Sequence, residues 1–138
     1  MSEELEEIRR QKLEELRNRA QEPDGTEKAQ TPSTPISVDG GQELRSTTAK
    51  ESVVLVDFFA EWCGPCQMLE PVLETVAAET DAVVATVDID ENQQLAAEYG
   101  VQGVPTLLLF VDGEPVERLV GMQQESKLRA LVESHTDT

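Results

Sequence analysis

The chain has 138 residues, which fits one domain of ordinary size with a short appendage. Acidic residues number 28 against 11 lysines and arginines, so the formal net charge is -17 at pH 7. Such a charge repels nucleic-acid phosphates and anionic lipid headgroups, and we expect neither nucleic acid nor a membrane as a partner. No apolar run suits a transmembrane helix and the acidic N-terminus is unlike a secretory signal, so we expect a cytoplasmic protein.

The first 34 residues differ from the rest of the chain in hydrophobic pattern and composition. Residues 1–20 predict an amphipathic helix, because apolar side chains recur there at helical spacing. These side chains are Leu5, Ile8, Leu13, Leu16 and Ala20. Residues 21–34, rich in Gln, Thr, Pro and Ser without an apolar period, predict a flexible linker. The folded domain is therefore expected over residues 35–138.

In that domain, short apolar runs alternate with helical patterns, which predicts an α/β fold with at least partly parallel strands. Residues 53–59 are almost continuously apolar and predict a central strand covered on both faces. A helix is expected after it, kinked at Pro71, and then a strand over residues 83–89. Residues 36–50 receive no firm assignment, because two adjacent glycines weaken a helical pattern there.

The last third predicts a short helix, a hairpin and a final helix. Asp90 with Gln93 is typical of an acid-capped helix start, and Gly100 of its end. Two apolar runs joined by Asp112-Gly113 predict a two-residue hairpin, with Pro115 on an edge strand. The runs cover residues 106–111 and 116–120, and the final helix is indicated by Leu128, Leu131 and Val132.

The negative charge belongs mainly to the predicted domain. Residues 34–138 contain 19 acidic and five basic residues, a net charge of -14. With only four lysines in the chain and few aromatic residues, the composition is typical of proteins from organisms with a salt-rich, halophilic cytoplasm. Charge repulsion is screened over about 3 Å at 1 M salt, so we expect the fold to weaken at low ionic strength. The alternative is an acidic protein of an ordinary cytosol.

The chemistry is expected in residues 62–66, Trp-Cys-Gly-Pro-Cys, between the central strand and the following helix. A cysteine at a helix N-terminus faces unpaired backbone N–H groups and the positive end of the helix dipole, which favour the thiolate. Cys63 is therefore the predicted nucleophile. Cys66, one turn further in and more enclosed, suits the resolving role that follows formation of a mixed disulfide.

Asp57 lies inside the apolar run and is predicted to be buried with a raised pKa, which suits proton exchange with Cys66. The alternative is an exposed carboxylate at the strand end. For the cysteines, a structural metal site needs about four ligands, and the single histidine, His135, is expected in a solvated tail. A purely structural disulfide that closes so few residues restrains little of the unfolded chain. We expect no metal and no organic cofactor.

The run over residues 57–66, with Gly103-Val104-Pro105-Thr106 and Asp112-Gly113 downstream, resembles the thioredoxin family. The resemblance covers roughly residues 35–134. It implies a thioredoxin fold, with a central mixed sheet flanked by helices, and a dithiol that reduces disulfides in partner proteins. It also implies recharging by a thioredoxin reductase. We expect a monomer.

Site residues follow from the resemblance position by position. Cys63 is implied as the attacking cysteine, Cys66 as the resolving cysteine, Asp57 as the carboxylate behind them and Pro105 as a cis-proline beside them. The substrate-facing rim is implied to comprise Trp62, Gly64, Pro65, Gly103, Val104, Pro105 and Gly121. For Trp62, a partly buried anchor is a compatible alternative.

Two positions depart from the family pattern. Thr86 stands where many relatives have a lysine beside the buried carboxylate, and Gln67 where a basic residue often follows the second cysteine. Both changes remove positive charge near the dithiol. We therefore expect weaker thiolate stabilisation, and an Asp57 that stays protonated to higher pH.

Two other functions are compatible with these residues. The N-terminal helix could target the redox domain to a specific partner, which would make the protein an adaptor; the helix could equally pack on its own domain. The Cys63/Cys66 dithiol could also belong to an oxidase or isomerase. However, the Gly64-Pro65 pair adds no charge or donor that would stabilise the reduced form, and this favours a reductant.

Overall fold

A computed structural model describes residues 5–11 and 32–136. Five strands form one mixed sheet in the order β1-β3-β2-β4-β5. Strand β2 pairs in parallel with β3 and antiparallel with β4, and six of its seven residues are buried. The predicted central strand is therefore confirmed. The strands are β1 Ile36–Ser37, β2 Val53–Phe59, β3 Val83–Asp88, β4 Thr106–Val111 and β5 Glu114–Val120.

Helices cover both faces of the sheet, as predicted, and one of the four, Gly41–Lys50, was not predicted. They are α1 Gly41–Lys50, α2 Gly64–Glu79, α3 Gln93–Glu98 and α4 Glu125–Thr136. Side chains alternate along β2, so that Val53 and Leu55 pack with α2 and α4, whereas Val54 and Val56 pack with α1 and α3. Asp57, two residues after Leu55, thus belongs to the face that α2 covers.

The predicted hairpin between β4 and β5 is confirmed. Asp112 and Gly113 have φ angles of 51° and 86°, the left-handed conformation that a two-residue turn of this kind needs. Strand β5 begins at Glu114, two residues earlier than expected, and lies at the edge of the sheet. Pro115 is accommodated there because an edge position can do without its N–H.

Three sequence-based expectations need correction. Residues 36–50, left without an assignment, contain β1 and α1. Helix α3 begins after Asn92 rather than at Asp90, and the Asn92 side chain accepts a 2.8 Å hydrogen bond from the Gly40 N–H instead of capping α3. His135 is half-buried in the last turn of α4 and not in a solvated tail.

The chain divides into two units, residues 1–30 and 31–138, which are described separately. In the first unit, residues 5–11 are helical, and the side chains of Leu5 and Ile8 are exposed. The rest of the predicted helix and most of the predicted linker lie outside the described residues. Within the described residues, each helix falls short of the length or apolar character needed to cross a bilayer.

Candidate active site

The two cysteines lie at the junction between β2 and α2. Cys63 is the N-cap of α2, and Pro65 lies in the first turn of the helix. A disulfide joins Cys63 to Cys66, with 5.3 Å between the Cα atoms. The Cys66 backbone N–H donates a 3.1 Å hydrogen bond to the Cys63 sulfur. This donor, together with the helix dipole, favours negative charge on Cys63 once the bridge is reduced.

Both sulfur-bearing residues are largely covered by protein. Cys63 is 5% exposed and Cys66 is 2% exposed, so the small accessible part of the bridge lies more on the Cys63 side. Gly64 and Pro65, between them, are exposed. The bridge therefore lies next to an exposed turn.

The loop before β4 lies beside Cys63. Its Val104–Pro105 peptide bond is cis, as the family resemblance implies, and the Val104 carbonyl oxygen lies 3.8 Å from the Cys63 sulfur. The Pro105 carbonyl accepts a 2.8 Å hydrogen bond from the Gly121 N–H, and the Thr106 hydroxyl donates one of 2.6 Å to the Gly103 carbonyl. These bonds bring Gly103, Val104, Pro105 and Gly121 together next to the cysteines.

Exposed apolar side chains lie near the bridge. Trp62 is 71% exposed, and its indole N–H donates a 3.0 Å hydrogen bond to the Asp90 carboxylate. Val120 and Met122, on either side of Gly121, are exposed as well. Asp90 and these two neighbours of Gly121 were not predicted, because only the folded chain brings Asp90 to Trp62 and Gly121 to Pro105. Trp62 is thus a surface side chain with a described hydrogen bond to Asp90 rather than a buried anchor.

Asp57 lies behind the bridge. It is 2% exposed, and its Oδ1 atom has no hydrogen-bond partner among the described residues. Burial, and after it the negative charge of Glu70, raises the pKa of Asp57 to about 7. In the β2–β3 register, Asp57 lies opposite Thr86, which brings no positive charge. The expected burial of Asp57 is found in the structure, and it acts on the pKa in the expected direction.

Asp57 and Cys66 line a common cavity of about 700 Å³ on the α2 side of the sheet. Glu70 lines it too, and sequence reasoning missed this residue. Its position four residues after Cys66 was the available signal, because residues at that spacing share a helix face. Gln67, which replaces the basic residue common in relatives, donates a 3.0 Å hydrogen bond to the Glu61 carbonyl.

The site combines a disulfide at a helix N-terminus with a cis-proline beside it and a buried carboxylate behind it, on a mixed sheet flanked by helices. This combination defines a thiol–disulfide oxidoreductase. The thioredoxin family model matches residues 37–134. The chain belongs to the thioredoxin family.

Individual relatives agree with this assignment. A thioredoxin from Chlamydia trachomatis is 48% identical over 95 residues, which cover 68% of this chain and 93% of the relative. Among solved structures, a mutant thioredoxin from Halobacterium salinarum NRC-1 shows 58% identity and a TM-score of 0.77, and covers 78% of this chain and 96% of its own. Schistosoma mansoni thioredoxin shows 30% identity and a TM-score of 0.68, covering 75% and 97%.

Membership of this family and the Cys63–Cys66 pair make the protein a dithiol thiol–disulfide oxidoreductase. Its substrates are molecules that contain disulfides, and its electron donor is a thioredoxin reductase. No sequence-based expectation about the fold class or the reaction type had to be revised.

Proposed function

We propose that the protein reduces disulfides of partner proteins, with Cys63 as the attacking cysteine and Cys66 as the resolving one. The observation that carries these roles is the hydrogen bond from the Cys66 N–H to the Cys63 sulfur at the start of α2. That donor and the helix dipole stabilise a thiolate on Cys63 and not on Cys66, because Cys66 lies inside the first turn.

The exchange takes place in two steps. The Cys63 thiolate attacks one sulfur of the partner disulfide, a mixed disulfide forms, and the other partner sulfur leaves as a thiolate. Cys66 then gives its proton to Asp57, attacks the Cys63 sulfur and releases the second partner thiolate, leaving the Cys63–Cys66 bridge. Two electrons from the reductase restore the dithiol. A carboxyl with a pKa of about 7 is well matched to this proton transfer near neutral pH.

The partner docks on the rim around the bridge. Exposure of Trp62, Gly64, Pro65 and Gly103, and the hydrogen-bonded loop that joins Pro105 to Gly121, support this surface. The proposed contact residues are Trp62, Gly64, Pro65, Gly103, Val104, Pro105 and Gly121. Val120 and Met122 extend the apolar part of the same rim.

We also place the protein in a salt-rich cytoplasm, as a monomer. The net charge of -17 and the 58% identity to a thioredoxin from Halobacterium salinarum support this environment. The division into helix 1–20, linker 21–34 and redox domain 35–138 is part of the proposal. Residues 33–35 line the cavity behind the bridge, which supports a start of the redox domain near this point.

Replacing the resolving cysteine tests the roles. Cys66→Ser is expected to accumulate covalent complexes with partner proteins through Cys63, because nothing then completes the second step. Cys63→Ser, which keeps Cys66, is the matched control and is expected to trap almost none. Complexes are counted on non-reducing gels after incubation with oxidised protein substrates. Equal trapping by the two variants would mean that the roles are wrongly assigned.

A further inference from the structure

The cavity behind the bridge is distinctly acidic. Its described lining contains four carboxylates and no lysine, arginine or histidine. The carboxylates are those of Asp57, Glu61, Glu70 and Glu74. Only Asp57 among them is buried, and its Oδ1 atom has no described hydrogen-bond partner. The protonation of the Asp57 carboxyl therefore depends on the charges around the cavity.

Glu70 is the best placed of these charges. It follows Cys66 by four residues on α2, so both side chains lie on the helix face that lines the cavity. Glu74 lies one turn further from Cys66. The loop after β2 contributes Glu61, β3 contributes the uncharged Thr86, and the segment before β1 contributes the uncharged Ser33 and Thr34.

We propose that Glu70 is a positioning residue of the exchange reaction: acting across the cavity, its negative charge opposes ionisation of Asp57 and keeps Asp57 basic enough to take the Cys66 proton. Among the described residues, no positive side chain lines the cavity, so none of them offsets the charge of Glu70 there. A general base works best when its proton affinity matches the working pH. Without Glu70, Asp57 becomes a stronger acid and a poorer acceptor.

The inference rests on the proton-accepting role proposed for Asp57. In the resolving step the proton of the Cys66 thiol passes to the Asp57 carboxylate, the new sulfur–sulfur bond forms to Cys63, and the partner thiolate leaves. In the reverse direction, when the reductase opens the bridge, Asp57 returns the proton to Cys66. Glu70 takes no part in these bond changes and acts through Asp57 alone.

The first measurement isolates the interaction between the two carboxyl groups. The Asp57 carboxyl carbon is followed by NMR through a pH titration of the oxidised protein. Glu70→Gln is expected to lower the titration midpoint of Asp57 by at least about 0.3 pH unit. Glu74→Gln, with the same change in net charge on the same helix, is expected to shift it by less than half as much. Glu70→Asp should largely retain the wild-type midpoint.

Salt gives a second check on the same variants. Glu70 is exposed, so molar KCl is expected to shrink the difference between wild type and Glu70→Gln. A structural effect of the substitution would not respond in this way. If Glu70→Gln and Glu74→Gln move the Asp57 midpoint equally, the inference is wrong, while the role proposed for Asp57 still stands.

The second measurement connects the interaction with chemistry. Reduced protein is mixed with dithiobis(nitrobenzoic acid) in a stopped-flow instrument, where the second release of coloured thiolate reports the attack by Cys66. In Glu70→Gln, the acidic limb of the pH profile of this second release is expected to shift to lower pH, together with the titration midpoint of Asp57. If the midpoint moves and the limb does not, Asp57 is not the proton acceptor, and both proposals fail.

Discussion

Burial of Asp57 couples folding to proton binding. Its pKa is raised to about 7 in the folded protein, whereas an aspartate in an unfolded chain titrates near 3.9. Between these values the folded state binds a proton that the unfolded state has lost, so the free energy of unfolding falls as the pH rises from about 4 to 7. A shift of about three units corresponds to roughly 4 kcal/mol lost above pH 7.

Asp57→Asn should remove this pH dependence. The amide has nearly the same shape and carries no charge, so we expect the variant to exceed wild type in stability by up to about 4 kcal/mol near pH 8. Near pH 4 the two should differ little. Urea unfolding of the oxidised proteins at both pH values measures the difference. A stability gap that is the same at both pH values would show that Asp57 does not titrate in this window.

The hydrogen bond between Trp62 and Asp90 is expected to affect substrate binding, and replacing Asp90 tests this. Asp90→Ala removes the acceptor of the indole N–H and leaves an exposed side chain without its anchor. Ordering Trp62 on docking then costs up to about 1 kcal/mol, the net value of one hydrogen bond, so KM for a protein disulfide is expected to rise by up to about fivefold. Glu91→Ala, an exposed acidic neighbour, is the control and should keep the wild-type KM. Unchanged kinetics in both variants would remove Trp62 positioning from the mechanism.

Regular elements were predictable wherever local spacing determines them. Strand β2 and the hairpin after β4 were found from an unbroken apolar run and from a turn that needs positive φ. Helix α1 was left unassigned because Gly40 and Gly41 weaken a helical pattern. Only Leu44 and Thr48 on it are buried, so almost no apolar period offsets the two glycines. In the site, the place of Cys63 at a helix N-terminus is likewise local. The Trp62–Asp90 contact depends on a neighbouring element, which a single sequence does not reveal. The spacing of Glu70 from Cys66 is local, but the cavity that Glu70 shares with Asp57 is formed only by the fold.

A substitution in the β4–β5 hairpin turn tests the stability of an element far from the active site. Gly113 has a φ of 86°, and an added Cβ would meet only ordinary contact, 3.8 Å from the Thr48 carbonyl oxygen. Gly113→Ala is therefore expected to cost about 1–2 kcal/mol through backbone strain and not through a clash. Denaturant unfolding measures the loss. Rates of disulfide reduction should be unchanged, because the turn and Pro105 lie at opposite ends of β4.

Charge is the property that concerns the whole molecule. The described ion pairs are exposed or half-buried, and such pairs are weak. Arg45 lies 3.8 Å from Glu98, and Arg129 lies 2.8 Å from Glu79 and 3.4 Å from Glu125. With a net charge of -14 on residues 34–138, such pairs compensate only a small part of the repulsion. Screening by salt must therefore contribute to the stability of the folded chain.

The resulting prediction is a thermal midpoint that rises from dilute buffer to molar KCl. A gain of about 1 kcal/mol corresponds to roughly 4–8 °C for a domain of this size. The double variant Glu114→Lys, Glu117→Lys lowers the negative charge at exposed positions of edge strand β5. It should melt higher than wild type in dilute buffer and gain less from KCl. If wild type and variant respond equally to salt, the effect comes from the solvent rather than from repulsion among the carboxylates.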